Sequence, residues 1–438
     1  MARNWVIKNL TGAGSFTVPP GVTQIRVSAS WRSRTWGGAG QASVVRTSTG
    51  RLLTFGSNAQ GLLGDATTVA ARSSPTLVVG GRSFIEVNSN QLHMIAIQAS
   101  DATLWAWGIN GFNELADGST IPKSSPVAVI GVAGRSFIQC NSANNFSTAL
   151  EATGQVWAWG RNNNGQLGNN TVTNSATPVQ VVGTQSFVEV SSRNTHSLAR
   201  RADGTVWAWG LNDLCQLGDG TFLSRSSPVL VSGGHSFIRI SAGAAFSLAL
   251  KANGECWSWG NNGLSQLGDG TNAAIRSTPV LVAGGHSFVA ISAGENHGYG
   301  LLADGSIRAW GAAGTAIGDG SLSGVNRSTP VLVVGGRSFV DVVAGGEYAL
   351  ALQSDGAVWS WGLNLFGTLG DNTGIDRNSP VQVVGPQRVS VQNNEILLGV
   401  IRVRPSQVIA FDTLPAIKTF GQLETNQIIN TFTLVYKA

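Results

Sequence analysis

The run S-F-I-R-I-S-A-G from Ser236 alternates apolar and polar positions, the period-two pattern of a half-buried strand. F-S-L-A-L-K from Phe246 alternates again, and Asn253-Gly254 follows as a hairpin turn. Next comes E-C-W-S-W-G, in which Trp257 and Trp259 stand two apart and so share a face. A polar loop then leads to S-T-P-V-L-V-A-G-G, ending at Gly285. Its proline suits the start of an edge strand, where no ladder donor is needed. The pattern predicts four short strands joined by turns, with no helix between them.

This unit recurs. Strand-like runs end at Gly56, Gly108, Gly160, Gly210, Gly260, Gly311 and Gly362, at intervals of 52, 52, 50, 50, 51 and 51 residues. A fixed period near 50 points to a propeller, solenoid or array, and four antiparallel strands per period make a propeller blade. The fold class expected is all-β: a seven-bladed β-propeller of four-stranded blades with N- and C-terminal β extensions. Eleven of the fourteen tryptophans fall in the third strand. Such large rings on one sheet face need a neighbouring sheet to cover them, so they are expected between blades.

The expected division is an N-terminal arm over 1–23, a propeller over 24–386, and a C-terminal β-rich attachment segment over 387–438. To close the ring, Q-I-R-V-S-A-S from Gln24 aligns with I-R-I-S-A-G at Ile238. It is expected beside A-S-V-V-R from Ala42, after a loop enlarged by W-R-S-R-T-W-G-G-A-G. R-V-S-V-Q from Arg388 competes for the same slot. The tail carries I-L-L-G-V-I-R-V from Ile396 and I-I-N-T-F-T-L-V-Y from Ile428, which also read as strands.

The pattern H-S-L-A-x-x-x-D-G-x-V-W-x-W-G-x-N-x-x-x-Q-L-G-D-G, followed by S-P-V, resembles the repeat of the regulator of chromosome condensation (RCC1) family. The resemblance covers about residues 24 to 386 and implies a seven-bladed propeller. It also implies guanine-nucleotide exchange or chromatin association as functions. G-S-F-T-V-P-P-G-V-T-Q-I-R-V from Gly14 resembles a short β module near the ends of phage tail-fibre and other virion surface proteins.

Charged residues are only 12% of the 438. The net charge of +5 is carried by arginine, and with five lysines there is no basic run to track a phosphate backbone. Cys140, Cys215 and Cys256 are too few and too irregular for a disulfide framework. Cys256 takes a position held elsewhere by Leu, Val or Ile and reads as a small buried hydrophobe. The first residues, M-A-R-N-W-V-I-K-N-L, lack the apolar core of a secretory signal. No stretch is long enough to span a bilayer, and synthesis and folding in a cytoplasm are expected.

Six repeats carry an aspartate after L-G or its equivalent: Asp65, Asp117, Asp219, Asp269, Asp319 and Asp371. Six carry a base three residues before the proline: Arg72, Lys123, Arg225, Arg276, Arg327 and Arg377. The third repeat has Asn169 and Ser175 instead, and the joint loss implies that the two pair within each loop. A calcium ring is disfavoured because no acidic cluster has calcium-loop spacing. His93, His196 and His297 share a position filled elsewhere by Phe146, Phe246 and Tyr348, which marks a packing site. His235 and His286 take turn positions where other repeats have Arg82, Arg135 and Arg337, and are expected to face solvent.

No nucleophile elbow, phosphate loop, zinc-protease or dinucleotide motif occurs. The expectation is therefore no catalytic, cofactor or metal site and no enzyme activity. The function expected is a non-enzymatic protein-interaction scaffold, as a structural or receptor-contacting component of a phage particle. The alternative is an exchange or chromatin-associated factor. Expected partners are virion subunits or a host surface receptor, with no nucleic acid, no membrane insertion and a possible homo-oligomer through the terminal segments. Expected location is the virion, or alternatively the cytoplasm.

Overall fold

The computed structural model describes residues 41–384 in full, apart from 48, 69–70, 90–91, 272 and 322–323. On either side it describes only the backbone of the strands named below. The chain divides into two compact units, one formed by residues 34–391 and the other by 1–33 with 392–438.

The larger unit is a seven-bladed propeller. Each blade is a four-stranded antiparallel sheet whose strands follow one another in chain order. The first blade is Trp36–Ala39, Ala42–Arg46, Leu52–Gly56 and Arg72–Leu77. The seventh is Asp341–Ala344, Tyr348–Leu352, Val358–Gly362 and Arg377–Gln382. Each innermost strand lies against that of the next blade, and Asp341–Ala344 lies against Trp36–Ala39 to complete the ring.

The recurrent glycine that ends the third strand has a steric cause. At Gly210 φ is +105°, and a Cβ would lie 2.4 Å from the Thr195 carbonyl oxygen. Only glycine meets both demands without strain. The ladder to the fourth strand shifts register there, between Ala208 and Gly210.

The innermost strands would present unpaired N–H groups toward the axis. Short polar side chains from the preceding blade satisfy them. Glu86 accepts from the Cys140 N–H at 3.1 Å and Asn88 from the Ser142 N–H at 3.1 Å. Gln139, Ser191, Ser241 and Ser292 accept likewise from Val190, Ala242, Ala293 and Ala344.

The second tryptophan of each W-x-W strand fixes the blade interfaces. Trp107, Trp159, Trp209, Trp259, Trp310 and Trp361 are fully buried. Each indole Nε1–H donates to a carbonyl of the preceding blade, as from Trp209 to Gln166 at 3.0 Å and from Trp361 to Ala316 at 2.9 Å. The first tryptophan of the pair is different. Trp105, Trp207, Trp257 and Trp359 are half-buried, so in four of the five pairs burial between blades describes only the second ring, while Trp157 in the third blade is buried as well.

The ring closes without the expected strand exchange. Gln24–Ser30 pairs with Glu395–Arg402 and Thr431–Lys437, not with Ala42–Arg46. The slot beside Ala42 is held by Trp36–Ala39, which lay hidden in the segment read as an enlarged loop. A two-residue link brings it into place, so the nearer segment wins on loop-closure entropy. The competitor from Arg388 lies outside the described residues. Noncovalent contacts close the seam between the seventh and first blades. Tyr348 Oη–H donates to the Ala42 carbonyl at 2.7 Å, Ser43 Oγ–H to Thr368 at 2.8 Å, and the Asn372 N–H to Ser73 at 2.9 Å. Val45 and Phe55 pack with Tyr348, Leu350 and Leu369, and Phe55 stands where other blades have the indole.

In the smaller unit, strands from both ends interleave in the order Trp5–Leu10, Thr431–Lys437, Gln24–Ser30, Glu395–Arg402. Gly14–Thr17 pairs separately with Val408–Phe411.

Two outcomes are expected. Trp209→Ala should destabilise the propeller by about 3–5 kcal/mol as a buried large-to-small change, read by urea denaturation; a loss under about 1 kcal/mol would mean that the ring is not packed as described. The fragment 34–391 holds every blade strand and should unfold cooperatively on heating. A disordered fragment would place terminal strands within the ring after all.

Candidate docking face

Because consecutive strands are antiparallel, the first-to-second and third-to-fourth links of every blade emerge on one face. The other links emerge on the opposite face. The long third-to-fourth loops of the first face carry the acidic and basic residues singled out from the sequence.

The fourth blade shows how such a loop is built. Asn212 is fully buried. Its Nδ2 donates to Asp219 Oδ1 at 3.1 Å and to the Thr221 and Leu223 carbonyls at 2.9 and 3.2 Å, while its Oδ1 accepts from the Leu217 N–H at 2.9 Å. Asp219 Oδ1 also takes the N–H and hydroxyl of Thr221 at 3.0 and 2.8 Å. Its Oδ2 meets Arg225 at 2.8 Å. All six expected pairs form, at N–O distances from 2.6 Å for Asp319–Arg327 to 3.2 Å for Asp65–Arg72 and Asp117–Lys123. In the third blade Asn169 Oδ1 takes the Asn162 amide at 3.1 Å and the Thr171 N–H at 3.2 Å. A neutral amide needs no counter-charge, so the base is lost with the acid.

The carboxylates are nearly buried, with side chains 2–13% exposed, while their bases remain 22–36% exposed. Burial pushes Asp65, Asp117, Asp219, Asp269 and Asp371 upward. Donated hydrogen bonds from the neighbouring Thr or Ser, the Asn amide and the base outweigh it and hold all five below the ordinary carboxylate value. The buried asparagine at the centre of six of the seven loops, replaced by Ala313 in the sixth, was not singled out from the sequence. The recurring N two residues after W-G was the available signal.

With the aspartates engaged, the loop tips present apolar side chains. Ile121, Val172, Phe222, Leu223, Val325, Leu365 and Ile375 are exposed, Leu365 to 76%, and Phe112, Leu264 and Leu363 lie beside them in the same loops. The tips run over six successive blades, from the second to the seventh.

Near the axis the first-to-second turns form a belt on this face. Asn144 donates to Asn194 at 3.2 Å and Asn194 to the Ala244 carbonyl at 3.2 Å. The Ala244 N–H donates to Glu295 at 3.4 Å, and the Glu295 N–H to Gly346 at 3.3 Å. Arg193 crosses from the fourth blade to donate to the Ala293 carbonyl at 3.1 Å and the Gly345 carbonyl at 2.7 Å. This guanidinium pins blades four, six and seven together across the axis. Glu347, exposed in the last turn, is pushed upward by partial burial and by Glu295 and Asp376 beside it.

On the opposite face the turn residues cover the first tryptophan of the pairs. Arg82, Arg135 and Arg337 lie 3.5, 3.9 and 3.5 Å from the rings of Trp105, Trp157 and Trp359. His235 stacks 4.2 Å from Trp257. The turn is thus not simply solvent-facing: its cation or imidazole shields an indole.

The three aligned histidines sit in separate blade interfaces. His93 and His196 contact the hydroxyls of Ser147 and Ser247 at 2.7 and 3.0 Å. The seventh blade has Ala349 at the matching place, and His297 Nε2 has no hydrogen-bond partner. Burial draws all three down to about 3. All three cysteines are buried and free, and among the described residues no group of three or more His, Cys, Asp or Glu is placed to hold a metal.

Residues 34–315 match the model of the RCC1-like domain. Residues 339–368 and 355–393 match models of the regulator of chromosome condensation (RCC1) repeat. The chain is 28% identical over 127 residues to the E3 ubiquitin-protein ligase HERC2 of Homo sapiens, covering 27% of this chain and 3% of that protein. It is 29% identical over 99 residues to the ultraviolet-B receptor UVR8 of Arabidopsis thaliana, covering 22% of each. The matches thus span far less than two thirds of these relatives. Among solved structures, human WBSCR16 superposes with a TM-score of 0.66 at 19% identity, covering 83% of this chain and 94% of the other. Prp20p of Saccharomyces cerevisiae, described with its binding properties to Gsp1p and histones, gives 0.66 at 21% identity, covering 84% and 88%. At these identities the likeness shows the fold alone.

These matches overturn the expectation of a phage structural component located in a virion. The relatives are proteins of human, plant and yeast, and the likeness covers the propeller. The virion reading rested on the absent catalytic motifs and signal, the appended β tail and the segment from Gly14, and that segment lies outside the matched domain.

The ionisable groups set an acid limit. Each buried histidine has a folded value near 3 against 6.5 unfolded. The unfolded chain therefore binds more protons, and stability falls as pH drops below 6.5. The aspartates, depressed from 3.8, add a further loss below about pH 4. Replacing His93, His196 and His297 by Phe, the residue of blades three and five, should flatten the first stage of a melting-temperature profile and leave the second. An unchanged profile above about pH 4 would show that other groups titrate there.

Proposed function

Because this chain belongs to the RCC1-like domain family, we propose that it is a non-enzymatic protein-docking scaffold that binds its partner on the face of the third-to-fourth loops. The observation carrying this reading is the row of apolar tips over six successive blades. Single exposed apolar residues are ordinary, but their recurrence at the loop tips of one face in six successive blades supports an interaction surface. The internal ion pairs support the same reading, because each aspartate and its base are held by the loop itself and shape it rather than solvate it. A rigid ring that needs no ordering on contact loses little entropy on binding.

Nucleotide exchange is a second reading, favoured by the likeness to Prp20p and the binding to Gsp1p that its description names. Fold alone does not carry exchange activity to this chain. Nucleic acid and membrane are not part of either reading. No basic run is present, and among the described residues no helix is long and apolar enough to cross a membrane.

Leu223→Asp with Leu365→Asp should abolish recovery of the partner by the full-length protein from its native extract, with the melting temperature unchanged. Arg337→Ala on the opposite face should not. Partner recovery that survives the first pair would remove the assigned face. In a parallel assay, accelerated release of fluorescent GDP from any small GTPase in a panel would establish the exchange reading in place of simple docking.

A further inference from the structure

We infer that Glu114 makes the blade-two loop of this face responsive to pH. As the neutral acid it holds the turn at Phe112, as glutamine does in the next three blades; as the carboxylate it leaves its place for water and frees that turn. The loop chemistry stands by itself, and only its consequence for recognition rests on the docking reading above.

One place in the third-to-fourth loops carries the argument. Its main-chain carbonyl receives the next blade's indole, as Glu114 does from Trp159 at 2.8 Å. Blades three, four and five put Gln166, Gln216 and Gln266 there, all buried. Each Oε1 accepts the N–H two residues earlier, from Asn164, Leu214 and Leu264 at 2.8, 2.9 and 2.8 Å. Glu114 is equally buried, and its Oε2 takes the Phe112 N–H at 2.8 Å.

The other carboxyl oxygen is where the blades differ. The matching Nε2 of Gln166 donates to Asn163 at 3.5 Å and that of Gln216 to Asp213 at 3.2 Å. Blade two has Gly111 at that place, and Glu114 Oε1 is buried with no hydrogen-bond partner. Gln266, with Gly263 at the same place, leaves its Nε2 unpartnered in the same way. The position therefore tolerates a neutral group with one bond unmade. An unpaired charge there is far more costly.

No neighbouring charge bonds to the carboxyl. Lys123, on the same loop, is paired with Asp117 at 3.2 Å. Arg161, from blade three, lies 5.2 Å from the Phe112 ring. His93, from the second strand of blade two, contacts the Ser147 hydroxyl, which donates to the Glu114 main-chain carbonyl at 3.0 Å. Burial keeps that imidazole neutral. Burial also pushes the Glu114 carboxyl upward, and the N–H bonds from its own main chain and from Phe112 offset this only in part.

The unfolded carboxyl ionises near 4.5 and the folded one higher. The folded chain thus holds the extra proton, and Glu114 lowers stability progressively as pH rises above 4.5. That sign is opposite to the histidines'. Phe112 and Ile121 are the exposed apolar side chains of this loop, so the charge on Glu114 sets how firmly blade two presents them.

The test follows the Glu114 carboxyl carbon by NMR in the full-length protein as pH is raised, its signal assigned by its loss in Glu114→Gln, together with amide hydrogen exchange. The midpoint should lie above 4.5. Protection of the Phe112 N–H should fall about tenfold per pH unit above the unfolded value until the turn is open. Leu115, whose N–H is held by Asn110 at 3.0 Å, should stay protected. Glu114→Gln, which installs the residue of blades three to five, should keep Phe112 protected at every pH and raise the melting temperature by an amount that grows above pH 4.5. Glu114→Leu, with the residue that blade one carries as Leu62, should leave Phe112 unprotected at every pH.

A midpoint at or below 4.5 would show that the charge is already compensated and would overturn the inference. Phe112 protection that ignores the titration, or a gain from glutamine that is equal at every pH, would overturn it as well. These readouts need no partner, so the docking face stands or falls separately on its leucine variants.

Discussion

The fold depends on one repeated contact, the buried indole that reaches from each third strand into the blade before it. A tryptophan excluded from water must place its N–H on an acceptor. Here the acceptor is a loop carbonyl one blade away, at Leu62, Glu114, Gln166, Gln216, Gln266 and Ala316. The same loop then explains its own glycine. A Cβ at Gly218 would come within 2.6 Å of the Trp259 ring, and Gly268 and Gly318 meet the next indoles in the same way. The apolar ring and the bond recur at six interfaces and the glycine at five of them, with Ala116 at φ +45° taking its place in the second blade.

The seventh interface departs from that rule. Phe55 fills the indole's place without an N–H, and the hydroxyls of Tyr348 and Ser43 supply the polar link instead. The closure is noncovalent and made within the blades. Arg193 adds a brace across the axis. A ring so fixed holds its loop tips at constant spacing, and this links the packing of the tryptophans to the use of one face for recognition.

Much of the propeller was legible in the chain. The period, the four strands, the blade number and the aspartate–base pairs follow from spacing alone, since each is a local pattern written seven times or lost in step, as Asn169 and Ser175 show. What was not legible depends on neighbours in space. The slot beside Ala42 went to Trp36–Ala39 and not to Gln24–Ser30, because a short glycine-rich strand carries less pattern than a long alternating one, while loop length decided the outcome. The cover over Trp105, Trp157 and Trp359 was missed because the turn arginines stand more than twenty residues away from the rings they shield. The docking face was missed because its apolar tips sit at different places in loops of different length, and only the ring brings them together.

The central claim is that the six buried indoles bind the blades into a single cooperative body. Hydrogen exchange of the tryptophan Nε1–H groups, followed by NMR on the full-length protein, tests it most directly. The account predicts that the signals of Trp107, Trp159, Trp209, Trp259, Trp310 and Trp361 exchange slowly and at a common rate set by global unfolding, while Trp105 and Trp257 exchange fast. Protection that differs from blade to blade, or rapid exchange at any of the six, would contradict it.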